Sequence, residues 1–207
     1  MSTLRTITAF KSKLAGGGAR PNLFEVEIPS FPVAAGNVWR TGDNQEADLF
    51  KFMCKSAALP ASNIAPIEVP FRGRTLKVAG DRTFDVWTVT IINDENFLLR
   101  NAFEAWMQGI SKNSNNTGAT NPGSYMTNAL VHQLGRGADG GIESQSNSSL
   151  VNGGAITPLK TYTFFDIFPT NVSAIDLSYD SSDTIEEYTV EFQVQYWEPG
   201  AWTRDQA

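Results

Sequence analysis

The sequence is poor in the residues on which most active sites are built. It holds one histidine, His132, and one cysteine, Cys54, in 207 residues. A lone histidine has no histidine partner for a metal site, and no cysteine cluster compensates. A lone cysteine excludes an internal disulfide and fits assembly in a reducing cytoplasm. Phe50, Phe52 and Met53 precede Cys54, which marks it as a buried structural thiol. No run approaches the roughly 20 apolar residues of a membrane helix, so no membrane insertion is expected. The first residues, MSTLRTITAFKSKLAGGGARP, carry basic side chains but no continuous apolar segment, and do not read as a signal peptide. The sequons at Asn115, Asn147 and Asn171 then carry little meaning. Basic charge is also short: 16 Lys and Arg stand against 22 Asp and Glu, a net charge of −6 that argues against a sequence-independent DNA binder.

Glycine-rich pieces exist but lack the rest of a phosphate loop. No Lys-Ser/Thr follows Gly135-Arg136-Gly137 or Gly140-Gly141. Asp81-Arg82 reads as a turn residue beside a charged neighbour rather than a catalytic pair. No catalytic residue, metal ligand or cofactor is assigned, and no enzyme is expected.

What is present is a core. Hydrophobic residues make up 41% of the chain and charged residues 18%, so global disorder is excluded. The expected organisation is an N-terminal arm and glycine hinge over 1–20, one domain over 21–198, and a tail over 199–207. Within the domain, residues 139–158 are close to low complexity and read as a variable surface loop.

The chain is organised around VPFRGRTLKVAGDRTFDVWTVTIIND, residues 69–94. Trp87, Val89 and Ile91 share one face of a strand; Thr88 and Thr90 share the other. Short strands are expected over 63–69 and 74–78 around Phe71-Arg72-Gly73, with a second turn at Ala79-Gly80-Asp81. A helix is expected over 94–110, with Leu99, Ala102, Phe103, Trp106, Met107 and Ile110 as one apolar stripe and Asp94 and Glu95 in its first turn. Leu4, Ile7, Phe10 and Leu14 recur at near-helical spacing before the Gly16-Gly17-Gly18 hinge. Further strands are expected over 22–28, 49–58, 128–136, 157–168 and 173–178, with a polar loop over 34–48. The longest strand is expected over 184–197. Tyr188, Val190, Phe192, Val194 and Tyr196 face one way there, and Glu187, Thr189, Glu191, Gln193 and Gln195 the other. A strand this long reads as one that leaves the compact domain and pairs beyond it. Strands dominate, so the fold reads as a mainly β, antiparallel barrel or sandwich with one packed helix.

Five segments carry a family resemblance. They are Ala19-Arg20-Pro21-Asn22-Leu23-Phe24-Glu25-Val26, Ala57-Ala58-Leu59-Pro60-Ala61, LKVAGDRTFDVWTVTIIND, Phe168-Pro169-Thr170-Asn171-Val172, and the ending Tyr196-Trp197-Glu198. In that order, they resemble the tail tube protein of contractile-tailed bacteriophages. Residues 33–48, 139–158 and those after Glu198 depart from the pattern. The resemblance implies a small barrel related to type VI secretion tube proteins. It implies hexameric rings stacked into a hollow conduit for DNA ejection, in a virion assembled in the host cytoplasm. The implied partners are further copies of the chain, a sheath, a tape-measure protein, a baseplate and a tail terminator. Double-stranded DNA would pass without specific binding.

The residues themselves place some of these roles. DNA must pass quickly, so an acidic or neutral polar wall suits the lumen better than a basic one. Glu187, Thr189, Glu191, Gln193 and Gln195 are therefore expected at the lumen, with Thr88 and Thr90 beside them. Subunit or ring contacts are expected from Leu4, Ile7, Phe10 and Leu14 of the arm, and from Phe50, Phe52, Leu59, Arg72 and Arg74. Two other readings fit the sequence: a type VI or related injection-system tube, and a monomeric carbohydrate-binding β-sandwich that uses Trp39 and Trp202.

Overall fold

The computed structural model describes residues 6–13, 18–32, 45–135, 158–180 and 182–200. The fold is mainly β, with antiparallel sheets. The elements run α1 (Ile7–Lys13), β1 (Phe24–Glu27), α2 (Gln45–Met53), β2 (Cys54–Ala57), β3 (Ser62–Phe71), β4 (Arg74–Phe84), β5 (Trp87–Ile92), α3 (Leu98–Ile110), β6 (Thr127–Gln133), β7 (Lys160–Val172), β8 (Glu187–Gln193) and β9 (Tyr196–Pro199). Seven strands form one sheet in the order β1-β6-β7-β8-β5-β2, with β9 on β7. β3 and β4 form a separate two-stranded sheet. The described residues divide into two compact units, those within 1–25, 131–162 and 199–207, and those within 26–130 and 163–198.

The larger unit holds the core. In β5 the burial alternates strictly, with Trp87, Val89 and Ile91 fully buried. β8 lies antiparallel to it, pairing Trp87 with Phe192, Val89 with Val190 and Ile91 with Tyr188. Cross-strand partners share a face, so six large side chains form one apolar layer. α3 covers that layer. Its Leu99, Ala102, Phe103 and Trp106 are buried, and Phe103 and Trp106 lie 5.8 and 6.0 Å from the Phe192 ring. Trp87 stacks on Phe164 at 4.8 Å. The Trp106 indole N–H donates to the Tyr125 carbonyl at 2.7 Å, which satisfies its only polar atom.

The smaller unit is tied by backbone. The Leu134 amide donates to the Leu23 carbonyl, and the Gln133 side chain donates to the Arg20 and Leu23 carbonyls. The His132 ring meets the Thr161 hydroxyl at 2.9 Å. In α1, Ile7 and Phe10 are exposed.

Several elements differ from the sequence reading. Residues 45–53 are helical, not loop and strand; Glu, Ala, Leu, Lys and Met favour helix there, and a short apolar run cannot be assigned by periodicity alone. α2 is thus a helix that the sequence reading did not expect, beside α3 and the near-helical spacing of the arm. α3 starts at Leu98 rather than Asp94, because residues 94–97 form a turn that ends on Phe97 in the left-handed region (φ 54°). Asp94 still accepts from the Leu98 amide at 3.3 Å.

Residues 79–81 do not reverse the chain but lie inside β4, and the two expected short strands are one long hairpin. Residues 173–178 are not a strand; Ser173 instead exchanges hydrogen bonds with Thr189 and accepts one from Arg100. Residues 168–172 complete β7, which runs four residues past the expected end at Phe168. In β6 Ala129 and Val131 are buried, and Leu130, His132 and Leu134 are half-buried.

The long strand over 184–197 is broken. β8 ends at Gln193 and β9 begins at Tyr196. β7 carries a left-handed residue, Asp166 (φ 53°), and a register shift between Pro169 and Asn171, so its partners cannot run straight. β8 is hydrogen-bonded on both sides, to β5 and β7, and has no free edge with which to pair beyond the domain.

Candidate functional site

The β3–β4 hairpin is the feature without a purpose inside one chain. Its loop is two residues, Arg72 (φ 45°) and Gly73 (φ 79°), between the paired Phe71 and Arg74. Two successive positive φ values make the turn whose twist matches antiparallel strands. Arg72 places its guanidinium 5.4 Å from the centroid of the Phe71 ring.

Register decides what the hairpin presents. Ile67 pairs with Val78 and Val69 with Leu76, and Phe71 with Arg74. These share one face. Pro66, Glu68, Pro70, Thr75, Lys77 and Ala79 lie on the other, where Lys77 and Glu68 pair at 3.5 Å. The hairpin is therefore amphipathic, yet its apolar face is bare: Phe71 is 66% exposed, Leu76 62% and Ile67 55%. An isolated two-stranded hairpin is marginal in water, and exposed apolar patches of this kind mark protein contacts. A bulge between Ile64 and Pro66 bends it. There a Cβ on Gly80 would meet the Ala65 carbonyl at 2.5 Å, so only glycine allows the two backbones to approach.

The second surface is the face of β5 and β8 turned away from α3. Thr88 lies opposite Glu191, Thr90 opposite Thr189, and Ile92 opposite Glu187. Lys55 of β2 reaches across to Glu187 at 2.6 Å. The expected polar row is thus one continuous face for Glu187, Thr189, Glu191, Gln193, Thr88 and Thr90. Tyr188, Val190, Phe192 and Val194 are buried, as read from the alternation. Gln195 falls in the break after β8, so register does not place it on that row. Tyr196 is not core; it is 40% exposed and stacks on Phe165 at 4.7 Å.

The expected contact residues separate. Phe50 is fully buried, its ring 5.9 Å from Phe103, and has no surface to offer a partner. Its place on α2 turns it inward, where a strand would have set Phe50 and Phe52 on one side. Phe52 is 81% exposed, and Leu59, Ile7 and Phe10 are exposed too. Arg72 and Arg74 stand at the hairpin tip, and both are exposed. Leu4 and Leu14 lie outside the described residues, as do residues 139–157 and Trp39 and Trp202. What sequence reasoning missed is the apolar hairpin face; the alternation of Ile67, Val69 and Phe71 was its signal.

Elsewhere the polar groups are structural. Burial raises the Cys54 thiol to about 12, so it stays protonated and unreactive at neutral pH. The Tyr188 hydroxyl is buried without a hydrogen-bond partner among the described residues. Burial pushes its pKa above the usual 10.0, opposed by Arg100, whose guanidinium lies 5.1 Å from the ring centroid. Among the described residues no group of three His, Cys, Asp or Glu is placed to hold a metal ion. No helix among them is long and apolar enough to cross a membrane.

Known proteins resemble the chain over most of its length. The chain is 35% identical to the tail tube protein gp19 of Enterobacteria phage T4 over 190 residues, 92% of this chain and 95% of that one. It is 24% identical to the tail tube protein of Serratia phage KSP90 over 92% of this chain and 94% of the relative. Its fold is similar to a chain in the cryo-EM structure of the anti-feeding prophage cap, with TM-score 0.56 and 13% identity over 89% of this chain and 92% of the other. It is also similar to a chain of the sheath–tube complex of an extracellular contractile injection system in the extended state. There the TM-score is 0.54 at 14% identity, covering 92% of this chain and 97% of the other. The profile of the phage tail tube protein family matches residues 19–199. The chain belongs to the phage tail tube protein family and is a structural component of the virion.

Proposed function

We propose that the chain closes into hexameric rings that stack into the hollow inner tube of a contractile tail. The observation that carries this is the bare apolar face of the β3–β4 hairpin. A monomer has to hide such a face, whereas a tube subunit uses it. Heterologous contacts that close give rings, and those that do not close give filaments. The tube is enclosed by a sheath, nucleated on a baseplate, capped by a terminator, and filled by a tape-measure protein before DNA.

The polar row Glu187, Thr189, Glu191, Gln193, Thr88 and Thr90 lines the channel, and Gln195 joins it from the break after β8. A wall of carboxylates, hydroxyls and amides gives phosphates no cation cluster to bind. The arm, through Ile7 and Phe10, and Phe52, Leu59, Arg72 and Arg74 contribute to contacts between subunits. The role is architectural, not enzymatic.

Leu76→Asp with Val69→Asp tests the reading. Both side chains are exposed, so the melting temperature should hold while rods and rings disappear from negative-stain images and sedimentation shows monomer. Regular tubes from that variant refute the role of the hairpin. Glu187→Lys with Glu191→Lys should assemble but eject DNA more slowly, most clearly at low salt. Unchanged ejection from normal tails removes the row from the channel.

A further inference from the structure

The polar face of the large sheet is not polar throughout. In β7, Phe164 and Ile167 are both fully buried. They stand three apart, whereas strict alternation returns to one face only at even spacing. Asp166 absorbs the extra residue: its backbone is left-handed (φ 53°), and its amide donates to the Asn128 side chain at 3.2 Å. Phe164 stacks on Trp87 in the core at 4.8 Å, so Phe165 turns to the opposite face. Phe168, beyond the bulge, lies opposite Gln193 and shares its face, which is also that of Thr189 and Glu191.

β9 pairs with β7 and brings Tyr196 onto Phe165, with ring centroids 4.7 Å apart and planes 14° from parallel. The Gln195 amide donates to the Phe165 carbonyl at 3.3 Å and ties the two strands there. Tyr196 keeps 40% of its surface exposed, and Phe165 and Phe168 are half-buried. The row of threonines and glutamates therefore runs into an aromatic strip at its Gln193 end.

The strip lies in an acidic setting. Residues 161–200 hold eight Asp and Glu and no lysine or arginine. Duplex DNA does not match such a surface: carboxylates repel its phosphates, and its bases are paired and stacked away from a flat ring on a wall. A protein segment does match. Its apolar side chains can lie on the rings, and its lysines or arginines meet both carboxylates and ring faces. A half-buried ring offers little area, so each contact is weak. Repeated around every ring of the tube and along its length, such contacts hold one long chain together and still release it one at a time.

We propose that the Phe165–Tyr196 stack, with Phe168 beside it, grips the protein that fills the tube before DNA, through a segment that is apolar on one side and basic beside it. This rests on the tube reading, and gives the filling protein a chemistry and a seat on the wall.

The test uses full-length chains assembled into tails. Tyr196 is replaced by the photo-crosslinking residue p-benzoylphenylalanine, and the tails are irradiated with the filling protein inside. Adducts with the filling protein, mapped by mass spectrometry to segments that join apolar and basic residues, are expected. Adducts confined to other tube subunits or to DNA, or no adduct at all, overturn the assignment and leave the tube reading intact. No rods or rings from the unmodified chain overturn the tube reading, and this inference with it. Retention provides the second arm. Tyr196→Ser with Phe165→Thr should lower the filling protein kept per tube after a salt wash by about tenfold, since every copy of the contact is lost at once. Tyr196→Phe keeps the stack and should retain as much as the parent chain. Unchanged retention in the double variant overturns the assignment. So does a double variant that melts like the parent but makes no tubes, because the strip is then a contact between copies. Where the double variant does not fold, the crosslink decides.

Discussion

β5 and the β3–β4 hairpin share one pattern and meet opposite fates. Trp87, Val89 and Ile91 alternate with threonines, and all three are fully buried under α3. Ile67, Val69 and Phe71 alternate in the same way on β3, and all three are exposed. The difference is only what lies above the face. Period-two alternation says that one face of a strand seeks burial, and is silent on whether the same chain supplies the cover. In the proposed tube, the uncovered face is a means of assembly.

The comparison can be broken most forcefully in the core. Trp106→Ala and Phe50→Ala each remove a fully buried aromatic side chain, and each should cost about 3–5 kcal/mol. Phe52→Ala, two residues along the same helix, should stay within about 0.5 kcal/mol because its side chain is 81% exposed. Urea unfolding of the three variants measures this. Equal losses at Phe50 and Phe52 would mean that α2 is not oriented as described.

The next effect belongs to the hairpin. Gly80→Val sets a Cβ at 2.5 Å from the Ala65 carbonyl, so the strands must part at the bulge. Tube formation should fail while the cooperative melt of the core persists. A variant that makes normal tubes would show that the bulge is not required.

Smaller effects come from Tyr188, which lies in the core beneath Arg100. Its native pKa is raised above 10.0 by burial. The native state therefore holds the phenolic proton more tightly than the unfolded chain. That contribution is complete below pH 10.0 and is lost as pH rises from there toward the native value. Tyr188→Phe removes a buried hydroxyl with no partner among the described residues, so at neutral pH it should be neutral or stabilising by up to about 1 kcal/mol. Above pH 10.0 the variant should lose stability less steeply than the parent chain. Parallel stability curves at alkaline pH would show that the phenol is not protected.

The smallest effect expected is at Lys55–Glu187, an exposed pair at 2.6 Å. Glu187→Gln should shift stability by less than about 1 kcal/mol. A larger loss would mean that the polar row is structural rather than a wall facing solvent.

The sequence by itself determined the elements whose partners are dictated by strong, regular patterns. The β5 alternation, the α3 stripe and the polar and apolar faces of β8 are all legible in residue order, because side-chain period and burial are coupled in helices and strands. The five ordered motifs likewise carried the family. Tertiary structure decided what depends on neighbours. It turned residues 45–53 into a helix and drew Phe50 inward. It broke the last strand where β7 bends at Asp166. It made Gly80 a site of close backbone approach rather than a reversal. It also joined two separate short strands into one hairpin whose register sets Ile67 beside Val78 and Val69 beside Leu76. These outcomes turn on which backbone lies opposite which. Local propensity is worth too little per residue to fix that, and contacts far apart in the chain decide it.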